Sequence, residues 1–286
     1  MTPPPIGFVG LGNMGRVLAA NLVASGHGVL AHDAAGAARV PEGADAASDV
    51  AAVARRAEVV VLSLPDGAAS AQVAGALAAV ADRRATHVVD TSTIGPDAAR
   101  GVAATLADAG LAYIDAPVSG GVAGARSRTL FVMYAGSDDA CARVEPVLAG
   151  LSDRRQRVGE RPGMGQALKL ANNFLSAAAL AATSEAIAFG RSAGLDMGTM
   201  LQVLNQSSGR SAASSDKFPD HVLTGRYAAG FSNSLMVKDL HLYLGAVEER
   251  RGPRAIGAVT ASVWEDFDRA EPGADFTRIF PFVEGP

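Results

Sequence analysis

Over its first half the chain alternates short β-branched apolar runs with longer alanine-rich stretches. Residues 6–9, 29–32, 59–64, 87–90 and 112–115 are short and apolar on both faces, the texture of strands covered on both sides. Segments 14–25, 46–56, 68–80 and 96–108 lie between them and are long enough to be crossover helices. This alternation predicts an α/β domain, a doubly wound parallel sheet with helices on both faces. Two further strands, 130–134 and 155–158, flank a helix over 138–148 and are expected to extend the sheet.

The texture changes after Pro162. Residues 165–191 contain no proline and are mostly apolar, with Gly190 as the internal glycine, so a helix of about 27 residues and roughly 40 Å is expected. A helix so long and apolar needs cover on several sides, from later helices or from a second copy of the chain. Helices are expected over 197–206, 216–223, 235–250 and 255–268, with a Ser- and Gly-rich loop over 207–215. The chain therefore reads as two domains: 1–162, α/β, and 163–286, all-α and opening on a long interdomain helix.

Composition narrows the function. A chain of 286 residues suits two domains, and 49% hydrophobic with 19% charged residues is enough to bury large cores. A net charge of −4 without a basic stripe argues against nucleic acid. The single cysteine, Cys141, excludes an intramolecular disulfide framework and a multi-cysteine metal site, and the five histidines show no ligand spacing, so no metal is expected. The apolar stretch 171–189 contains Asn172, Asn173, Ser184 and Glu185, and is read as a protein helix, not a membrane span. Met1-Thr2-Pro3-Pro4-Pro5 carries no basic segment and the apolar run after it is short, so no signal peptide is read there and a cytoplasmic location is expected.

Gly10-Leu11-Gly12-Asn13-Met14-Gly15 directly follows the first strand and opens a helix. Gly10 permits a tight turn, Gly12 lets the backbone approach a pyrophosphate, and Gly15 lets helix and strand pack closely, while free N–H groups face the phosphates. Asp33 follows at the end of the second strand, so the element is read as a dinucleotide-binding turn, with a purely structural glycine turn as the alternative. Asp33 either accepts from the adenosine ribose hydroxyls, which favours NAD with NADP as the alternative, or is a solvated turn residue. The turns holding Leu64, Pro65 and Thr93 follow strands three and four and should border the cofactor; their hydroxyls serve equally well as helix N-caps.

Asp115-Ala116-Pro117-Val118-Ser119-Gly120-Gly121 offers a hydroxyl and two backbone amides to a carboxylate, or is a plain turn. Gly163-Met164-Gly165-Gln166-Ala167-Leu168-Lys169-Leu170-Ala171-Asn172-Asn173 opens the long helix, where Lys169 and Asn173 share a face. Only three of the 25 basic residues are lysines: Lys169, Lys217 and Lys238. Where such a chain keeps a lysine near a helix start, either a group able to lose its proton or a snorkelling surface lysine is indicated. Lys238-Asp239-Leu240 opens a later helix; Lys238 reaches cofactor or substrate, or pairs with Asp239 in solvent.

In this order the motifs 7–15, 115–121, 163–173 and 238–240 resemble those of the β-hydroxyacid dehydrogenase family, and the resemblance covers nearly the whole chain. It implies a Rossmann-like domain followed by an all-helical one, homodimers or homotetramers formed through the helical domain, and NAD(P)-dependent oxidation of a small 3-hydroxy acid or reduction of its semialdehyde. It further implies Lys169 as the general acid/base with Asn173 beside it, Ser119, Gly120 and Gly121 as the carboxylate site, and Thr93 and Lys238 on the nicotinamide side. Arg126, Arg128 and Tyr243 depart from the family pattern, which leaves the acid itself open. Two alternatives stand beside this reading: an imine reductase-like enzyme of the same fold, against which Lys169 argues, and a non-catalytic dinucleotide-binding module.

Overall fold

The computed structural model describes residues 3–285; Met1 and Thr2, part of the segment read for a signal peptide, and Pro286 lie outside the described residues. The chain divides into two compact units, Met1–Lys169 and Leu170–Pro286.

In the first unit the described strands form one sheet: β1 (Ile6–Val9), β2 (Val29–His32), β3 (Asp45–Ala46), β4 (Val59–Leu62), β5 (His87–Asp90), β6 (Ala112–Asp115), β7 (Val118–Ser119), β8 (Phe131–Ala135) and β9 (Arg154–Gly159). Their order is β3-β2-β1-β4-β5-β6-β8-β7, with β9 beside β8. The strands from β3 to β6 pair in parallel and turn back on themselves between β1 and β4, the point where such sheets bind ligands beyond their carboxyl ends. β8 runs antiparallel to β6 and β7 and parallel to β9, so the expected extension is a mixed edge.

Alternate residues of each strand feed opposite faces. Phe8, Val61, Val89 and Ile114 pack with Leu18 and Leu22 of α1 (Asn13–Ala24) and with Val144 and Leu148 of α6 (Asp138–Leu151). Val9, Val60, Leu62 and Val88 pack on the other face with Val53 of α2 (Val50–Arg56), Leu77 of α3 (Gly67–Ala78) and Val102 and Leu106 of α4 (Pro96–Asp108). Helix α2 starts later than expected because Asp49 caps it, accepting from Ala52 N, while residues 45 and 46 join the sheet edge. A short α5 (Gly121–Arg126) follows β7.

The long helix α7 (Met164–Ser192) runs from the first compact unit into the second, whose boundary lies after Lys169. The second unit adds α8 (Met197–Leu204), a π-helix (Ala213–Val222), α9 (Asn233–Glu249), α10 (Ala255–Ala270) and α11 (Ile279–Glu284) around a core with Trp264, Phe267, Phe218 and Phe280. The π-helix takes in the end of the expected 207–215 loop. Pro219 inside it has no N–H for the usual helical bond, which suits the wider register. Along α7 Leu170, Asn173, Ala177, Leu180, Ser184 and Ile187 are buried, while Leu175 and Phe189 are 64% and 75% exposed, so one stripe of the helix is covered and not its whole circumference. No described helix is long and apolar enough to cross a membrane.

Candidate active site

The glycine turn sits at the carboxyl end of β1. Gly10 adopts φ +96°, and a Cβ there would overlap Ser63 O. A Cβ on Gly15 would overlap Gly10 O, whereas one on Gly12 meets nothing within 4 Å. Helix α1 begins at Gly12 with no side-chain cap, and Gly12 itself adds no bulk beside the first N–H groups. This is a fit for a pyrophosphate. Leu11 is buried, Asn13 is exposed and Met14 half-buried.

Asp33 is not a solvated turn residue. Its carboxylate accepts from Leu11 N at 2.6 Å and Ala35 N at 2.8 Å, bracing the glycine turn, and Arg39 stands 3.7 Å away. The strand-end hydroxyls are not helix caps either: Asp66 caps α3 and Gly95 precedes α4. Ser92 Oγ instead accepts from Leu64 N at 2.8 Å, and Thr91 Oγ1 donates to Leu62 O at 2.6 Å, which ties the turns after β4 and β5 together. Pro65 is exposed beside them and Thr93 half-buried.

Asp90 and Asp115 are register neighbours at the ends of β5 and β6, both fully buried. Burial raises the Asp90 carboxyl above its ordinary value, against hydrogen bonds from Ser92 and Tyr113, and raises the Tyr113 hydroxyl in turn. The Asp115 carboxyl is pushed up to about 6 by burial, although two amides of the α7 start bond to it: Gly163 N at 3.1 Å and Gln166 N at 2.9 Å. Gln166 Oε1 accepts from Ile94 N at 2.9 Å and Gly95 N at 3.1 Å, and its Nε2 donates to Ser92 O at 2.9 Å. Three residues on comes Lys169, 7% exposed. Ser119, half-buried, ends β7, and Gly120 and Gly121 lead into α5.

In the second unit Asn173 is 6% exposed and its Nδ2 donates to Asp239 Oδ2 at 2.6 Å. Asp239, 3% exposed, holds its other oxygen 3.2 Å from Lys238 Nζ. Lys238 therefore pairs with Asp239, but with a buried carboxylate and not a solvated one. Arg128 is committed elsewhere: it donates to Ala149 O and Gly150 O and pairs with Asp153, holding the end of α6. Arg126 is exposed at the end of α5.

Gln166 and Asp239 are the side chains that sequence reasoning passed over. Gln166, Lys169 and Asn173 recur at helical spacing in the first turns of a largely apolar helix, and that spacing was the available signal. Asp239 carried none beyond its neighbour Lys238. No group of three or more His, Cys, Asp or Glu able to hold a metal occurs among the described residues.

The family model described as the NAD binding domain of 6-phosphogluconate dehydrogenase matches residues 5–159, and that described as NAD-binding of NADP-dependent 3-hydroxyisobutyrate dehydrogenase matches residues 163–283. The 2-(hydroxymethyl)glutarate dehydrogenase of Eubacterium barkeri is 36% identical over 91% of this chain and 88% of its own length. The 3-hydroxyisobutyrate dehydrogenase of Pseudomonas aeruginosa is 36% identical over 98% of both chains. A solved Mycobacterium tuberculosis 3-hydroxyisobutyrate dehydrogenase with L-serine superposes with a TM-score of 0.91 at 31% identity, covering 99% of this chain and 100% of that one. An imine reductase from Pseudomonas sp., at 22% identity and a TM-score of 0.66, shares the fold alone. Both family models match in order and relatives above 30% identity align over nearly all of its length, so the chain belongs to the β-hydroxyacid dehydrogenase family of NAD(P)-dependent oxidoreductases.

Proposed function

We propose that the protein catalyses reversible hydride transfer between a nicotinamide dinucleotide and the β-carbon of a small 3-hydroxy acid or its semialdehyde. Lys169 carries the reading: it is a buried amine on a helix turn bonded to the carboxyl end of β6 and to the loop that follows β5. When bound, the nicotinamide supplies the hydride acceptor for oxidation and the donor for reduction. Ser119 and the amides of Gly120 and Gly121 hold the substrate carboxylate. Lys169 Nζ takes the hydroxyl proton during oxidation and returns it during reduction. Asn173, one turn along the helix, steadies the amine or the hydroxyl, and Lys238 and Thr93 serve the nicotinamide side. Gly10, Leu11, Gly12, Asn13, Met14 and Gly15 form the pyrophosphate turn, with Leu64 and Pro65 bordering the cofactor.

Asp33 supports NAD, since its carboxylate would repel a 2′-phosphate. Arg39 supports the second reading, NADP, because its half-exposed guanidinium stands 3.7 Å from Asp33 and offers a phosphate a partner. The L-serine named with the Mycobacterium tuberculosis relative is itself a 3-hydroxy acid, in keeping with the substrate class. Exposed Leu175, Phe189, Ile256 and Val259 support assembly into a homodimer or homotetramer through the helical unit. A lone, buried Cys141 fits a reducing compartment such as the cytoplasm.

The test is a spectrophotometric screen of NAD and NADP reduction across isobutyrate-, glycerate-, serine- and sulfonate-type 3-hydroxy substrates, repeated with Ser119→Ala. Turnover is expected with at least one carboxylate substrate. Ser119→Ala should lower kcat/KM by about 10–100-fold on carboxylates, the worth of a hydrogen bond to a charged group, and leave carboxylate-free imines unaffected. Equal loss on both, or turnover of imines alone, would favour an imine reductase; no turnover despite dinucleotide binding would leave a binding module.

A further inference from the structure

The segment that opens α7 is a mounting. Gly163 has φ +90°, and a Cβ on it would stand 2.9 Å from Pro96 O. A Cβ on Gly165 would stand 2.7 Å from Met133 O and 2.9 Å from Asp115 Oδ2. Bare backbone at both positions lets the helix start lie directly on the sheet ends, which delivers the N–H groups of Gly163 and Gln166 to the Asp115 carboxylate. A local serine or aspartate could cap this helix at little cost. A fully buried carboxylate is an expensive way to do it, and what it adds is a fixed position of helix on sheet. Gln166 supplies a second bond set, to Ser92, Ile94 and Gly95 of the loop that carries Thr93.

We infer that Asp115 and Gln166 are positioning residues for proton transfer at Lys169, holding that amine at a set height against the loop of residues 92–95; this rests on the reading of Lys169 given above. The titratable groups facing Asp115 are Asp90 of β5, Tyr113 of β6 and Cys141 of α6. Burial first, then the Asp90 charge, lift the Asp115 carboxyl to about 6, while its amide bonds pull the other way. Above that pH the carboxylate accepts both amides; below it one oxygen carries a proton and the mounting loosens. Since the folded-state value lies above the ordinary 3.8, the stability that Asp115 contributes is present at low pH and is lost as pH rises from 3.8 to about 6. Activity is expected to rise as the pH passes through about 6, where the carboxylate forms in the folded protein. If Asp115 acted through stability alone, activity would follow stability downward.

The experiment compares wild type, Asp115→Asn and Gln166→Glu, measuring kcat, both KM values and unfolding midpoints across about pH 5–9. An acid limb near 6 in wild-type kcat should vanish in Asp115→Asn. Both variants should lose about 10–100-fold in kcat at the alkaline plateau, as for a displacement near 1 Å, with the dinucleotide KM little changed. The stability of wild type relative to Asp115→Asn should fall as its activity climbs. Unchanged kcat in both variants, or an acid limb that survives Asp115→Asn, overturns the inference. Lys169→Ala separates it from the reading beneath: if that variant alone is impaired, only the positioning roles fail, and if it retains its rate, the reading of Lys169 fails. Should neither positioning variant fold, hydrogen exchange in wild type decides. Protection of the Gly163 and Gln166 amides that drops below about pH 6 supports the mounting, and pH-independent protection overturns it.

Discussion

Replacing Lys169 with alanine is expected to lower kcat by about 10²–10⁴-fold, the usual contribution of a positioned proton-transfer group, while the dinucleotide dissociation constant stays near that of wild type. The separation follows from placement. The glycine turn proposed to hold the pyrophosphate lies at β1 and α1, whereas Lys169 sits on a turn bonded to the end of β6 and to the loop after β5. Truncating Lys169 also empties space in a buried position, so the unfolding midpoint belongs in the same experiment. A loss of kcat with an intact midpoint and intact cofactor binding assigns the defect to chemistry. Retention of more than half the wild-type rate would remove Lys169 from the mechanism.

The second large effect is a change of opposite sign in stability and binding at Gly12. An aspartate there meets no neighbouring atom and sits at the N-cap of a helix that has no side-chain cap, so Gly12→Asp should keep or raise the unfolding midpoint. The same carboxylate occupies the approach of a pyrophosphate and competes for its N–H donors. Two like charges about 4 Å apart repel by roughly 4 kcal/mol at a partly screened site, so dinucleotide affinity should fall at least about 100-fold, read by calorimetric or fluorescence titration. Gly15→Ala is the control: its Cβ would overlap Gly10 O, and folded protein should be lost. Normal NAD or NADP binding by Gly12→Asp would mean that the dinucleotide lies elsewhere.

The parts of the fold legible in the sequence are those fixed by local pattern. β1, β2, β5 and β6 fall on the expected residues because a central parallel strand carries a short run that is apolar on both faces, with any polar residues at its ends. The long helix is found within a residue at each end because no proline interrupts it. Less legible were features that depend on partners far along the chain. The two-residue strands β3 and β7 carry too few residues for a period, and the antiparallel direction of β8 is set by the return of the chain after Pro117. The candidate site divides the same way. Gly10, Gly12 and Gly15 announce themselves by spacing, but the bonds that brace the site join Asp115 to Gly163 across 48 residues and Gln166 to Ser92 across 74. Spacing placed Asp33 at the end of β2; it did not show the carboxylate turned onto Leu11 N.

The most direct test of the central claim is a crystal structure of the ternary complex with oxidised dinucleotide and the 3-hydroxy acid that turns over best, trapped in a slow variant such as Asn173→Ala. Lys169 Nζ is expected within about 2.6–3.2 Å of the substrate hydroxyl, with the acid's carboxylate on Ser119 and the Gly120 and Gly121 amides. A hydroxyl bonded to some other group, with the Lys169 amine turned away from it, would contradict the account.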